Sequence, residues 1–338
     1  MQLNIFKKIN NNIRNKIIGF SNKLEDNIVN NPDCRSRVVI GPLPTNKFGN
    51  ILIVNNVLCK SCTYNCIYCN TNGPECCSTV INSELNPYQL FFLVKNKIDK
   101  LEKADVKINY IAFMPNGEPT TDTNLSKLID IIRSFGYKII VFTNGSLIWN
   151  DNVKENLMHA DILSLRFDTV NEEVWNKLNR PHKRLSFEHI LAGIKDLSKN
   201  YGNKIYINTK IVQNFNDNPI DIENLCNFIS TLKIEKVYFT ITSINEILDI
   251  NRAEETKKLL NNKLNNCLVV MLNEETKNYY EDTFISKLEI LNNNLPYNEK
   301  ELKLMALTKG IDFNKIEYMV KNNNEKNIID KHVLFQNN

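Results

Sequence analysis

The sequence predicts an α/β protein built as a partial (β/α)6 TIM-like barrel. In the central region the apolar pattern switches repeatedly between a strand period and a helical period. Such alternation is typical of parallel βαβ units with right-handed crossovers. Polar and charged residues follow several of the strand-like segments. Because reactive groups in such barrels collect at the carboxyl ends of the strands, we expect these residues to form one site.

Length and composition bound the organisation of the chain. Its 338 residues, 42% hydrophobic and 24% charged, suffice for one large domain with an appendage, in proportions ordinary for a globular protein. We expect an N-terminal helical extension over residues 1–34, the barrel over residues 35–250, and a small C-terminal winged-helix-like domain over residues 251–338. The net charge of +4 does not indicate a nucleic acid or an anionic membrane as a partner.

Targeting signals are absent from the sequence pattern. Residues Met1 to Asn12 carry no apolar core of signal-peptide length, and no run approaches the ~18 apolar residues of a membrane span. The nine cysteines are clustered rather than spread. We therefore expect no membrane span and a cytoplasmic, reducing compartment.

The N-terminal extension has a helical apolar period. From Leu3 to Val29, apolar residues recur every three or four positions, which predicts an amphipathic helix or a pair of helices. Its basic residues allow binding at a membrane surface. Docking on the main domain is the simpler interpretation.

The barrel region begins with Val38–Gly49, a segment punctuated by glycine and proline that leads into the first strand. The predicted strands are Ile51–Leu58, Tyr110–Met114, Lys138–Phe142, Ile162–Phe167, Lys204–Val212 and Lys236–Thr242. The predicted helices are Pro87–Glu102, Asn124–Phe135, Asn152–Met158, Glu172–Leu178, Ser186–Asn200 and Ile220–Leu232.

The regular pattern breaks after Thr242. Three short helical segments between Phe284 and Val320, followed by a strand-like segment at Ile328–Phe335, are similar to a winged helix. From Lys277 onward, nine lysines balance nine acidic residues. A wing that binds DNA should be basic. We therefore expect no DNA partner, and a peptide-docking or structural role for this part.

A cysteine-rich loop follows the first predicted strand. It reads Cys62-Thr-Tyr-Asn-Cys66-Ile-Tyr-Cys69. Three thiolates this close together can hold three corners of one iron–sulfur cube. Because such clusters normally take four cysteines, three ligands leave one iron open to another ligand. We predict that Cys62, Cys66 and Cys69 are metal ligands.

Two other interpretations of this loop stay open. With Cys59, the loop also contains two C-x2-C pairs, which is half the pattern of a zinc site. Zinc ribbons usually separate their pairs by many more than three residues. An iron–sulfur electron carrier or scaffold would instead use a fourth cysteine and keep all irons closed.

Three further strands end in motifs with polar residues. The second ends in Asn116-Gly-Glu-Pro-Thr120, where the glycine allows a close backbone approach. The third ends in Thr143-Asn-Gly-Ser146, which is either an Asn-Gly turn or a ligand contact. The fourth carries Arg166 and Asp168, which alternate with apolar neighbours and point to one side. These two either pair with each other or bind a ligand.

Together these motifs resemble the radical S-adenosylmethionine (SAM) superfamily, and within it the proteins related to tRNA wyosine synthases. Gly41-Pro-Leu-Pro44, Asn179-Arg-Pro-His182 and Gln213-Asn-Phe-Asn-Asp217 add to the resemblance, which covers Val38 to Thr242. It implies a [4Fe–4S] cluster whose open iron binds SAM. It further implies a reductase, flavodoxin or ferredoxin as electron donor, and a 5′-deoxyadenosyl radical that abstracts hydrogen from a substrate.

The resemblance also implies roles for individual residues. Tyr68 would lie beside the adenine of SAM, while Asn144 and Asp168 would contact other parts of it. The Gly-Glu-Pro segment would bind the SAM amino group. Its residues are Gly117, Glu118 and Pro119.

The substrate is less well defined. Wyosine-type relatives suggest an RNA base, but Thr45-Asn-Lys47 replaces the Ser-Arg-Arg run that such proteins usually carry after Gly-Pro-x-Pro. The C-terminal part, which has no net charge, suggests as the alternative a peptide-modifying enzyme that holds a leader peptide by strand pairing. An RNA base is the first expectation, because the resemblance of the barrel is the more specific of the two. Arg180 and His182 are expected to line the substrate entrance.

A single cluster is expected, although further cysteines could supply a second one. These are Cys34, Cys59, Cys76 and Cys77.

Overall fold

A computed structural model describes residues 38–45, 47–57, 61–69, 76–80, 82–83, 85–103, 105–115, 117–244 and 247–271. The predicted N-terminal helix, the winged-helix-like segments, Cys34 and Cys59 lie outside these residues. The division of the chain into three domains therefore stays a prediction.

One sheet of eight strands organises the described part of the chain. Its strands are β1 (Val39–Thr45), β2 (Gly49–Val54), β5 (Tyr110–Phe113), β6 (Lys138–Thr143), β7 (Ile162–Arg166), β8 (Lys204–Val212), β9 (Lys236–Thr242) and β10 (Cys267–Met271). Their order in the sheet is β1-β2-β5-β6-β7-β8-β9-β10, in which β1 pairs antiparallel with β2 and all other neighbours pair parallel. A separate short ladder joins β3 (Ser61–Cys62) to β4 (Cys76–Cys77).

Helices connect the parallel strands, as the alternating pattern predicts. They are α1 (Pro87–Lys103), α2 (Leu125–Arg133), α3 (Asp151–Met158), α4 (Glu172–Asn179), α5 (Phe187–Asn200), α6 (Pro219–Ser230) and α7 (Ile250–Lys263). Five of them begin at a side chain that accepts a hydrogen bond from the first turn, which stabilises the helix start. These capping residues are Asn150, Asn171, Ser186, Asn218 and Asp249.

The predicted partial barrel is confirmed, and all six predicted strands are present. Two further strands flank them. The punctuated segment forms β1, an edge strand where proline is tolerated because one side needs no ladder hydrogen bonds. Its pairing shifts register between Ile40 and Leu43. Gly41 permits this bend, since it adopts φ +101° and a Cβ there would lie 2.6 Å from the Leu43 nitrogen.

The second additional strand, β10, extends the sheet past residue 250. It pairs in parallel with β9 from Cys267 to Met271. Helix α7 is the crossover between these two strands. Strand β10 thus extends the parallel part of the sheet beyond β9.

The two faces of the sheet differ in burial. In β8 and β9, buried residues alternate with half-buried ones, and the buried ones join the hydrophobic core formed with the helices. In the turn between β1 and β2, Phe48 makes edge contacts with the rings of Tyr110, Phe142 and Tyr206, with centroids 5.6 to 6.1 Å apart. Phe48 thus packs this turn against β5, β6 and β8.

Within the described residues, no helix combines the length and the apolar character that a membrane crossing requires.

Candidate active site

The cysteine loop lies next to the carboxyl ends of the strands. Cys62, Cys66 and Cys69 are half-buried. Burial raises the pKa of the Cys66 thiol to about 11. Burial, and after it the Glu118 carboxylate, raises the pKa of the Cys62 thiol further. Because removal from water disfavours an anion, these thiolates need a cation beside them.

The donor set fits an iron–sulfur cluster. The negative charges of Cys66 and Cys69 both act on Cys62, so the three sulfurs are near neighbours. Among the described residues, however, no three His, Cys, Asp or Glu side chains are grouped closely enough to share one metal ion. In a cluster each thiolate would bind its own iron, so the three sulfurs need not converge on one ion.

The segment after α4 holds the cysteine loop in place. The backbone nitrogens of Asn65 and Ile67 donate to the carbonyl oxygens of Asn179 and Leu178, each at 3.0 Å. In return, His182 N donates to the Thr63 carbonyl at 2.9 Å. The Asn-Arg-Pro-His motif, expected at the substrate entrance, therefore supplies the backbone that fixes the loop.

The Asn179 side chain joins one end of the loop to strand β7. Its buried amide donates to Cys66 Sγ at 3.4 Å, to Tyr68 Oη at 3.0 Å and to Asp168 Oδ2 at 2.9 Å. The Tyr68 hydroxyl also donates to Asp168 Oδ2, and Lys210 N donates to Asp168 Oδ1 at 2.7 Å. The Asp168 carboxylate is thus held by three protein donors, and it orients the Tyr68 ring.

Gly117 lets the loop after β5 touch the backbone of the cysteine loop. The Glu118 nitrogen donates to the Ser61 carbonyl oxygen at 2.9 Å. A Cβ on residue 117 would lie only 2.0 Å from that same oxygen. Glycine is required here because any side chain would overlap with backbone atoms.

The Glu118 carboxylate ties the ends of β5 and β6 together. Its Oε1 accepts from Thr120 N at 3.1 Å, Thr120 Oγ1 at 2.6 Å and Thr143 Oγ1 at 2.5 Å, while Oε2 accepts from Asn144 N at 2.7 Å. The side chain is 1% exposed. Burial raises its pKa, and the four hydrogen bonds oppose that shift. Pro119 is buried beside it and begins a short 3-10 turn.

Asn144 supports the other end of the cysteine loop. Its amide donates to Thr63 Oγ1 at 2.8 Å and to Cys62 Sγ at 3.6 Å, and its Oδ1 accepts from Ser146 N at 3.0 Å. The hydroxyls of Thr63 and Ser146 are 2.6 Å apart. The Asn-Gly turn is therefore present, and the contact of Asn144 with a ligand stays a prediction.

The family model of the radical SAM superfamily matches residues 56–229, just over half of the chain. This chain belongs to the radical SAM superfamily. The region matched contains the cysteine loop, the Glu118 network and the Asn179 segment. The cofactors of this family are a [4Fe–4S] cluster and SAM, and the prediction of a radical SAM enzyme is confirmed.

Two relatives and two solved structures illustrate the similarity. A UPF0026 protein of Methanocaldococcus jannaschii is 34% identical over 202 residues, which are 60% of this chain and 62% of that protein. An S-adenosylmethionine-dependent nucleotide dehydratase of Flammeovirga pacifica is 26% identical over 250 residues, covering 69% of this chain and 80% of that one. The match to the UPF0026 relative thus spans less than two thirds of its length.

The solved structures are similar in fold. A radical SAM methyltransferase from Sphaerobacter thermophilus superimposes with a TM-score of 0.50 at 15% identity, covering 65% of this chain and 66% of that one. TYW1 with a lysine-pyruvate adduct has a TM-score of 0.46 at 17% identity, covering 63% and 73% of the two chains.

The structure brings the predicted site residues of this radical SAM enzyme together around one loop. Sequence reasoning missed four further residues there, namely Thr63, Ser146, Asn179 and Lys210. Asn179 lies in a motif that was noticed for another reason. Lys210 lies two residues after Asn208 in β8, so the alternation of the strand places both on the same face. This alternation was the signal in the sequence that could have identified Lys210.

One further described cysteine lies beside the cysteine loop. Strand β4 places Cys77 opposite Cys62, and the exposed Cys77 thiol lies 3.7 Å from the Thr63 carbonyl oxygen. Cys34 and Cys59 lie outside the described residues. The single cluster therefore stays a prediction.

Glu118→Ala is expected to lower the free energy of unfolding by on the order of 3 kcal/mol. The replacement leaves the buried donors of Thr120, Thr143 and Asn144 without their acceptor. Urea denaturation of the cluster-free protein measures the change. Glu188→Ala, an exposed glutamate on α5, is the matched control and should change stability by less than about 0.5 kcal/mol. Equal stability of the two variants would contradict the role assigned to Glu118.

Proposed function

We propose that this protein cleaves SAM reductively and uses the resulting 5′-deoxyadenosyl radical to abstract hydrogen from its substrate. The observation that supports this most directly is the set of three half-buried cysteines in one loop, fixed between Asn144 and Asn179. When bound, the [4Fe–4S] cluster supplies the electron that splits SAM. The proposed ligands are Cys62, Cys66 and Cys69.

The protein side chains hold and orient the reactants. The backbone around Gly117 and Pro119 would bind the SAM amino group, in a loop that Glu118 keeps rigid through its four hydrogen bonds. Tyr68 would lie beside the adenine, with its ring fixed by Asp168 and Asn179. Asn144 would contact SAM from the end of β6. Since Glu118 and Asp168 already bind protein donors, their contribution is to position neighbouring groups.

The reaction needs an external one-electron donor, for which we propose a flavodoxin, a ferredoxin or a dedicated reductase in the cytoplasm. The three cysteines are half-buried and not fully enclosed, which supports electron transfer from a protein docked beside the loop. We propose a nucleotide unit, free or within RNA, as the substrate. The nucleotide dehydratase relative supports this class, and it matches over 69% of this chain.

The test is anaerobic turnover of the reconstituted full chain with SAM and a strong reductant. We expect 5′-deoxyadenosine and methionine in equal amounts, measured by liquid chromatography and mass spectrometry. If the protein carries a cluster but releases no deoxyadenosine, the alternative of an iron–sulfur carrier or scaffold replaces this proposal. Hydrogen transfer into deoxyadenosine from a leader peptide, with none from nucleotides or tRNA, would favour a peptide-modifying enzyme instead.

A further inference from the structure

The half-buried face of the sheet carries a row of polar residues below the cysteine loop. We call this row the concave face and define it by Ser164, Arg166, Tyr206, Asn208, Lys210 and Tyr238. These residues alternate with buried core residues along β7, β8 and β9. Arg166 lies opposite Asn208 in the ladder, and Asn208 opposite Tyr238. The side chains therefore line one continuous surface.

A lysine from outside the sheet reaches this surface. Lys47 lies in the turn between β1 and β2, and its amino group donates to Asn208 Oδ1. The same amino group is 3.6 Å from the centre of the Tyr238 ring. Asn208 in turn donates to Ser164 Oγ at 2.6 Å. Asn208 thus connects Lys47 to the middle of the concave face.

Two more cations lie at the end of this row that is next to the cysteine loop. The Arg166 guanidinium is 5.7 Å, and the Lys210 ammonium 4.8 Å, from the centre of the Tyr68 ring. Lys210 follows Asn208 by two residues, a distance of about 7 Å along a strand. Lys47, Arg166 and Lys210 therefore all lie near Asn208: the first contacts it, the second is its partner in the neighbouring strand, and the third follows it by two residues.

Asp168 is the carboxylate beside the two cations near Tyr68. In the described part of the chain it acts on both Arg166 and Lys210, and so do the sulfurs of Cys66 and Cys69. The Asp168 oxygens accept from Tyr68, Asn179 and the Lys210 backbone, and Arg166 Nη1 forms a long ion pair with Oδ1 at 4.0 Å. Burial, and after it the charge of Arg166, lowers the pKa of Lys210 to about 8. Two cations thus share one carboxylate at the end of the concave face next to the cysteine loop.

We propose that Lys47, Arg166 and Lys210 bind an anionic group of the substrate, a phosphate or a carboxylate, on the concave face. Arginine and lysine are the usual partners of such groups, and burial strengthens these contacts relative to water. An anion held there would place the attached part of the substrate against Tyr68 and the cysteine loop. The inference rests on the proposed function, because it assigns the surface to the substrate of that reaction.

The experiment measures anion binding without turnover. Inorganic pyrophosphate and succinate are titrated by calorimetry into the anaerobic, cluster-loaded full chain in the presence of saturating SAM. We expect at least one of them to bind, and Lys210→Gln and Lys47→Gln each to weaken that binding about tenfold or more. Binding of pyrophosphate alone identifies a phosphate as the anion, and binding of succinate alone identifies a carboxylate.

Two further variants test whether anion binding depends on the positive charge at the concave face. Lys195→Gln, on the helix side of the sheet where its amino group is 5.0 Å from the Phe228 ring centre, should bind the anion as the unchanged protein does. Lys210→Arg should recover most of the affinity lost in Lys210→Gln. Failure of both anions to bind a protein of full iron content overturns the inference, as does equal weakening by Lys195→Gln. Deoxyadenosine formation is measured separately, so the proposed function is decided independently.

Discussion

Replacing Cys62, Cys66 and Cys69 together by alanine is expected to abolish cluster binding and the formation of 5′-deoxyadenosine. Iron content should fall from about four ions per chain to background, because no ligand remains in the loop. The visible absorption of the cluster should disappear with it. The fold should persist, since the three thiols are half-buried and the loop is held by backbone hydrogen bonds to Leu178 and Asn179.

The matched control for this triple variant removes cysteines away from the loop. Cys226 lies on α6 and Cys267 on β10, and both are free. The variant with alanine at these two positions should keep its full iron content after anaerobic reconstitution. Iron retained by the triple variant, or zinc bound in place of iron by the unchanged protein, would refute the ligand assignment.

Gly117→Ala is expected to damage the site almost as severely. The new methyl carbon would lie 2.0 Å from the Ser61 carbonyl oxygen and 2.9 Å from its carbon. Both are backbone atoms and cannot rotate away, so the loop after β5 or the cysteine loop must move. That movement breaks the hydrogen bond from the Glu118 nitrogen to Ser61. We expect a loss of roughly 3 kcal/mol in the free energy of unfolding, together with reduced cluster content.

Gly202→Ala is the control for Gly117→Ala. No atom lies within 4 Å of a Cβ built on Gly202, and its φ is not positive. This variant should be neutral, or more stable by up to about 1 kcal/mol because alanine restricts the unfolded chain. Urea denaturation and iron analysis of both proteins provide the comparison. Indistinguishable behaviour of the two variants would show that the close approach at Gly117 is not required.

The fold could be predicted where each element carries its own pattern. The six predicted strands are present because alternation of strand and helix periods is a local property of the sequence. Strand β1 was missed because Gly41 and Pro42 are read as loop residues unless the chain is known to lie at a sheet edge. Strand β10 was missed because its assignment depends on pairing with β9, which a pattern within the segment does not reveal.

The site could be predicted to the extent that its residues are close in sequence. The spacing of the three cysteines placed the proposed ligands in one loop without knowledge of the fold. The hydrogen bonds around them were not predictable, because Asn144 and Asn179 come from other βα units. Glu118 and Asp168 are expected to contact SAM, and the structure adds that each carboxylate accepts hydrogen bonds from several protein donors. A sequence motif identifies such a residue but does not show which neighbouring groups donate hydrogen bonds to its carboxylate oxygens.

The backbone contacts between the cysteine loop and the segment after α4 also impose an order on biosynthesis. Asn179 and Cys66 are 113 residues apart in sequence, so the loop leaves the ribosome long before the segment that fixes it. At about 5 to 20 residues per second, Asn179 is synthesised roughly 6 to 23 seconds after Cys66. The complete setting for the cluster therefore forms only after β7 and α4 have folded, and insertion of iron and sulfide is expected to follow translation of this half of the barrel.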